Sequence, residues 1–253
     1  YRQQLEQYKV PCWLNLRNDD LFVLRWGDPG YVREFLHNVP RDLMRFEAGF
    51  YMGPDGFVWG REFVSKNAAL AGELEVQKHW YRFMLWGRLG YDLTLSRHYF
   101  EKRLKQRFAE TNVRLLYDTW VSASKIVPQV NRFFFRVNDL QFAPEGCVHS
   151  GGFLGIDHFF RYPPLAGSGI LSVRDYASAV IEGKAPAGMT PMDVADNLDR
   201  FAKATLAGVV SLRKGPGASK ELTATLTDME SMSYLGRYYA DKIRGAAALA
   251  IFR

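Results

Sequence analysis

Between Trp13 and Glu62 two apolar, aromatic and β-branched runs flank one helix-like segment, and that order restricts the fold more than any other feature of the chain. KVPCWLNL predicts a strand over 8–16, and LFVLRW continues as a second short strand or as the far side of a loop. Gly27-Asp28-Pro29 reads as a turn, with Asp28 as a helix cap and Pro29 at the first helical position, where a missing N–H has no cost. Tyr31, Val32, Phe35 and Leu36 fall at helical spacing, and Asn38-Val39-Pro40 ends that helix. Residues 48–52 are expected as a strand, Gly53-Pro54-Asp55-Gly56 as a tight turn, and 57–59 as renewed extended chain. Strand, helix and strand in this order predict a βαβ unit and hence a parallel sheet. One or two such units cannot close a sheet by themselves, so the unit reads as starting mid-fold.

From Leu74 onward the texture turns helical. LEVQKHWYRFMLWGRLGY places Val76, Trp80, Phe83, Met84 and Leu89 on one face, with Trp80 and Trp86 expected in the core. Thr94 or Ser96 is expected to cap the basic segment 97–108, with Tyr99, Phe100 and Leu104 facing inward. Asn112 opens a helix expected to kink near Pro128. Residues 139–172 read as a long Gly- and Pro-rich connection, the kind that tends to be functional. Ser172 is expected to cap the helix that follows, Thr190-Pro191 to start a long one, and Gly215-Pro216-Gly217 to break it. The last two helices are expected to form an antiparallel pair.

The 253 residues suffice for one large domain or two ordinary ones, and 47% hydrophobic content suits a folded chain. The chain begins at Tyr1, which reads as a processed product or a piece of a longer one. No apolar run approaches a membrane span. The net charge of +6 is compatible with an anionic ligand. The densest basic run, RHYFEKRLKQRF (97–108), reads as a solvated helix face, and no nucleic-acid module is present, so no nucleic-acid partner is expected. Cys12 and Cys147 lack metal-site spacing and are expected as free buried thiols.

Each strand-like run between Trp13 and Glu62 ends in carboxylates, arginines and indoles. That mixture suits carbohydrate chemistry: paired carboxyl groups divide acid and base roles, indole faces stack on sugar rings, and arginine forks hold anionic substituents. The catalytic candidates are Asp19, Asp20 and Glu62, since activating a water needs an ionised carboxylate within hydrogen-bond reach. The substrate-binding candidates are Arg25, Trp26, Asp28, Asp55, Trp59 and Arg61. Against each stands a plain structural role: turn capping for the aspartates, ion pairing for Arg61 with Glu62, and core packing for the tryptophans. His149, Asp157 and His158 share the 139–172 segment with Glu145, but their spacing is not a ligand pattern and loop anchoring is the expected role. Cys147 beside His149 lacks an oxyanion turn, so a thiol nucleophile is not expected there. Neither a metal nor a cofactor is expected.

RNDDLFVLRW (17–26), WYRFMLWGRLGYDLTLS (80–96) and the helical TPMDVADNL (190–198) together resemble the C-terminal half of the α-glucuronidases of glycoside hydrolase family 67 and related polysaccharide hydrolases. The block at 80–96 is the most specific of the three. The resemblance implies an α/β fold, with 1–72 as the later strands and a helix of a (β/α)8 barrel. It implies that 73–253 forms a mostly α-helical C-terminal region. It also implies exo-acting, inverting, metal-free hydrolysis of a uronic-acid-bearing glycan, with the general acid on an earlier strand. The partners implied are an oligo- or polysaccharide and the remaining barrel segment; a homodimer is compatible, and a periplasmic or secreted setting is favoured. The alternative is a noncatalytic carbohydrate-binding or scaffolding module, in which the same aromatics and arginines only hold glycan.

Overall fold

The computed structural model describes residues 7, 11–17, 24–38, 47–53, 75–134, 144–149, 152–216 and 219–253. They divide into two compact units, Tyr1–Phe100 and Glu101–Arg253. The described residues are mostly helical, with two short two-stranded sheets.

In the first unit, strand β1 (Cys12–Arg17), helix α1 (Pro29–His37) and strand β2 (Glu47–Gly53) form the expected parallel βαβ unit. Pairing runs from Trp13 opposite Gly49 to Arg17 opposite Gly53, after an irregularity that leaves Ala48 without an opposite number. Gly49 sits at that irregularity with φ of 153°, and its missing side chain makes room for the ring of Trp13, 3.0 Å from where a Cβ would stand. The short helix α2 (Glu75–Lys78) leads into α3 (Trp80–Tyr91). Phe35 of α1 and Phe50 of β2 both meet the Trp86 ring of α3 edge-on, at centroid distances of 5.5 and 6.1 Å. Gly90 lets the Phe50 ring reach the α3 backbone. The Arg33 side chain of α1 donates to the carbonyls of Leu93 (3.1 Å) and Leu95 (2.6 Å), tying α1 to the turn after α3.

The expected inward face of α3 needs correction. Val76 is exposed and Trp80, Phe83 and Met84 are half-buried, whereas His79, Tyr81, Arg82, Leu85, Trp86 and Leu89 are buried. The stripe is rotated toward the positions three and four apart that include His79 and Arg82. Apolar count pointed to one face; packing against α1 and β2 selected another.

The second unit is built from α4 (Arg97–Arg107), whose first turn precedes the division, α5 (Val113–Ser124), α6 (Ile126–Phe133), α7 (Ile156–Arg161), α8 (Val173–Ile181), α9 (Pro191–Arg213) and α10 (Lys220–Phe252). Their N-termini follow the sequence closely. Asn112, Ser172 and Ser219 each accept a backbone N–H with the side chain, and Thr190 forms a full capping box with Asp193. The expected kink at Pro128 is a break one turn earlier. Pro128 has no N–H for the Ser124 carbonyl, so α5 ends at Ser124 and α6 restarts with the proline in its first turn. The 139–172 connection is less open than expected. It holds a small antiparallel hairpin, β3 (Val148–His149) with β4 (Gly152–Phe153), and then α7.

Helices α9 and α10 are antiparallel, as the ion pairs between them show: Arg213 with Glu230 at 2.6 Å, and Arg244 with Asp196 (2.7 Å) and Asp199 (2.6 Å). These exposed pairs fix register more than they stabilise. Stability comes from the apolar seam of Leu198, Ala202, Val209, Leu226, Met229 and Ile243. The buried hydroxyls of Thr119, Thr205, Thr225 and Ser233 each donate to the carbonyl one turn back on their own helix, at 2.6–2.9 Å, so none is left unpaired. Two glycines set the spacing. A Cβ on Gly208 would overlap the Thr119 hydroxyl of α5, and one on Gly236 would stand 3.1 Å from Ile126 Cδ1 of α6.

Gly208→Val should therefore destabilise the protein by about 2–3 kcal/mol, read as a lower midpoint of denaturant unfolding, because both helix backbones must shift to admit it. A second expectation concerns acid. The Thr190 hydroxyl and backbone N–H hold the Asp193 carboxyl below its usual range, so its contribution is present at neutral pH and lost as pH falls through its folded titration. The stability gap between the protein and Asp193→Asn should be widest at neutral pH and close under acid.

Candidate active site

The chain leaves β1 and β2 at the same edge, because the strands are parallel and their last paired residues are Arg17 and Gly53. Beyond the carboxyl ends of parallel strands is where α/β folds assemble their sites. Asp19, Asp20, Asp55, Trp59, Arg61 and Glu62 all lie outside the described residues. Arg25, Trp26 and Asp28 lie within them.

Those three serve the architecture in two cases. Trp26 is 3% exposed and meets the Tyr31 ring edge-on at 5.5 Å, so its indole is packed and presents no open face for a sugar. Asp28 is buried as well. Its Oδ1 accepts the backbone N–H groups of Gly30 (2.9 Å) and Tyr31 (3.2 Å), which makes it the N-cap of α1, with Pro29 just inside the helix. The capping alternative is thus the observed role of Asp28, and the packing alternative that of Trp26. Arg25 is half-buried beside them.

Two residues of this unit went unnoticed in the sequence. Arg82 is 1% exposed and His79 2% exposed, one turn apart on the inward face of α3. Enclosing a guanidinium carries a large desolvation cost that only anionic or strongly accepting neighbours offset. The available signal was the series 79, 82, 85, 86 and 89, in which two basic side chains occupy an otherwise apolar stripe.

In the second unit the loop residues take structural positions. Asp157 faces the Arg253 guanidinium at 3.6 Å, and the His158 ring stacks on Tyr162 at 6.1 Å with an interplanar angle of 21°. Among the described residues no three His, Cys, Asp or Glu side chains stand together as a metal site, and no helix is long and apolar enough to cross a membrane.

No protein-family model matches the chain, and no curated protein matches it. Among solved structures it is similar to a GH138 enzyme targeting pectin rhamnogalacturonan II, with a TM-score of 0.74 and 16% sequence identity. The likeness covers 94% of this chain and 29% of that one. The chain therefore shares its fold with somewhat under a third of a larger enzyme. The motifs resemble family 67, whereas this solved structure is a GH138 enzyme.

Asp28→Ala removes the acceptor of the Gly30 and Tyr31 N–H groups at the start of α1. Asp28→Ala should lower stability by about 1 kcal/mol in thermal or denaturant unfolding.

Proposed function

We propose that this chain is a segment of a glycoside hydrolase that acts on an acidic, uronic-acid-bearing polysaccharide by carboxylate acid/base catalysis. In this reading 1–72 supplies later strands of a (β/α)8 barrel and 73–253 its helical C-terminal region. The observation that carries it is the likeness of nearly the whole chain to part of an enzyme whose described target is a pectic polysaccharide. The parallel βαβ unit supports it from the other side, because the acidic segments follow directly on the aligned carboxyl ends of β1 and β2.

The roles assigned are these. Asp19 or Asp20 serves as general base toward water and Glu62 as the second carboxyl group of the site. Arg25 and Arg61 hold the substrate carboxylate, since a guanidinium fork matches it bidentately. Trp59 provides the stacking face that buried Trp26 does not, and Asp55 orients sugar hydroxyls. Asp28, buried at the start of α1, caps that helix and so fixes where the chain leaves the turn beside Arg25. The α-glucuronidase-like reaction suggested by the 80–96 block is the form of hydrolysis proposed. No metal or cofactor takes part in these roles.

The test is turnover of uronic-acid-bearing and neutral oligosaccharides by the intact parent chain that carries this segment, beside its Asp19→Asn, Asp20→Asn and Glu62→Gln variants. Release of product from the acidic set, with kcat lowered by about 10²–10⁴ in Glu62→Gln and in one of the two aspartate variants, is expected. Binding without turnover, unchanged by all three substitutions, would instead make the chain a noncatalytic carbohydrate-binding module.

A further inference from the structure

Away from the strand ends, the hairpin β3–β4 is fastened to α10 through one lysine. The Lys242 ammonium lies over the Phe159 ring at 5.2 Å and the Tyr238 ring at 4.9 Å. It reaches the Tyr238 hydroxyl at 2.6 Å and donates to the Leu154 carbonyl. Lys242 Nζ also donates to the Sγ of Cys147 at 3.4 Å. Cys147 is a free thiol, 2% exposed, and takes the left-handed backbone conformation at φ 52°, which a non-glycine residue seldom adopts. The surroundings hold that conformation in place. Leu154 N–H donates to the Cys147 carbonyl at 2.9 Å, and the Tyr239 hydroxyl donates to the Pro144 carbonyl at 2.6 Å, clamping the same turn on α10. Burial pushes the Tyr239 phenol far above its ordinary range, so it stays a neutral donor.

We infer that Cys147 and Lys242 form an oxidative crosslinking site, in which a peroxide converts the thiol and the amine into a sulfenamide. Two groups that react with each other after oxidation are held by separate elements within a bond's adjustment of contact. In the first step the thiol sulfur attacks hydrogen peroxide: the O–O bond breaks, sulfur gives up two electrons, and Cys147 sulfenic acid and water form. In the second, the Lys242 ammonium releases one proton to solvent, and the lone pair of the resulting amine attacks that sulfur. The S–O bond breaks, and hydroxide leaves as water with a proton from the amine. The sum is one peroxide consumed, two waters and one proton released and one S–N bond formed. The bond would join residues 95 positions apart in the chain, closing a long loop and so restricting the unfolded state. The site is independent of the proposed hydrolase chemistry.

The experiment is treatment of the whole protein with hydrogen peroxide, followed by peptide mass analysis, with Lys242→Arg, Cys147→Ser and Cys147→Ala alongside. The expected product is a linked peptide pair joining Cys147 to Lys242 that has lost two hydrogens and resists trypsin at Lys242. It should revert with a thiol reductant and be missing from all three variants. Thermal unfolding provides the second reading: peroxide should raise the midpoint of the protein but not of Lys242→Arg, which keeps the charge and the fold. Overturning results are oxygen added to Cys147 with no link to Lys242, a thiol that stays reduced while unfolding is unchanged, or an equal rise in Lys242→Arg.

Discussion

The second unit depends on how closely its helices approach, and that distance is set by two residues without side chains. Gly208 leaves room for the Thr119 side chain of α5 where a Cβ would overlap it, and Gly236 leaves room for Ile126 of α6. Where α5, α9 and α10 pack this closely, each buried hydroxyl must find a partner. Thr119, Thr205, Thr225 and Ser233 do so on their own helices. The surface ion pairs at either end of the α9–α10 pair then choose register rather than supply stability. A protein core tolerates small apolar exchanges far better than an added methyl group at such a contact.

The first unit is held differently, by aromatic edges rather than by close backbones. Phe35, Phe50 and Trp86 bring α1, β2 and α3 to one point, while Asp28 fixes where α1 begins. The geometry that matters for function follows: both strands present their carboxyl ends at one edge. A scaffold of this kind can carry many chemistries, so the proposed function rests on the candidate side chains that follow Arg17 and Gly53 in sequence and not on the fold.

Local chemistry was the legible part of the sequence. Asp28, Asn112, Ser172 and Thr190 announce helix starts because a cap is decided within four residues, and each is found in that role. The parallel βαβ unit was legible for a similar reason, since strand–helix–strand order admits few arrangements. What depended on distant partners was not. The buried face of α3 is chosen by α1 and β2, so an apolar count placed Val76 inside and left His79 and Arg82 unnoticed. The same holds for Trp26 and Asp28, whose residue types suit a sugar site as well as a core and a cap; only packing separates the two. The hairpin inside 139–172 has two-residue strands, too short for any periodic signal, and it owes its position to Lys242 and Tyr239 on a helix far along the chain.

The account turns on whether an acidic glycan binds beyond the carboxyl ends of β1 and β2. A crystal structure of the protein with a uronic-acid-bearing oligosaccharide tests this most directly. The expected result is a sugar ring seated there, its carboxylate held by Arg25 or Arg61. Glu62 and one of Asp19 and Asp20 should flank the glycosidic bond, with carboxyl groups roughly 6.5–9.5 Å apart as an inverting pair requires. A glycan bound on another face, or carboxyl groups turned away from that edge, would contradict it.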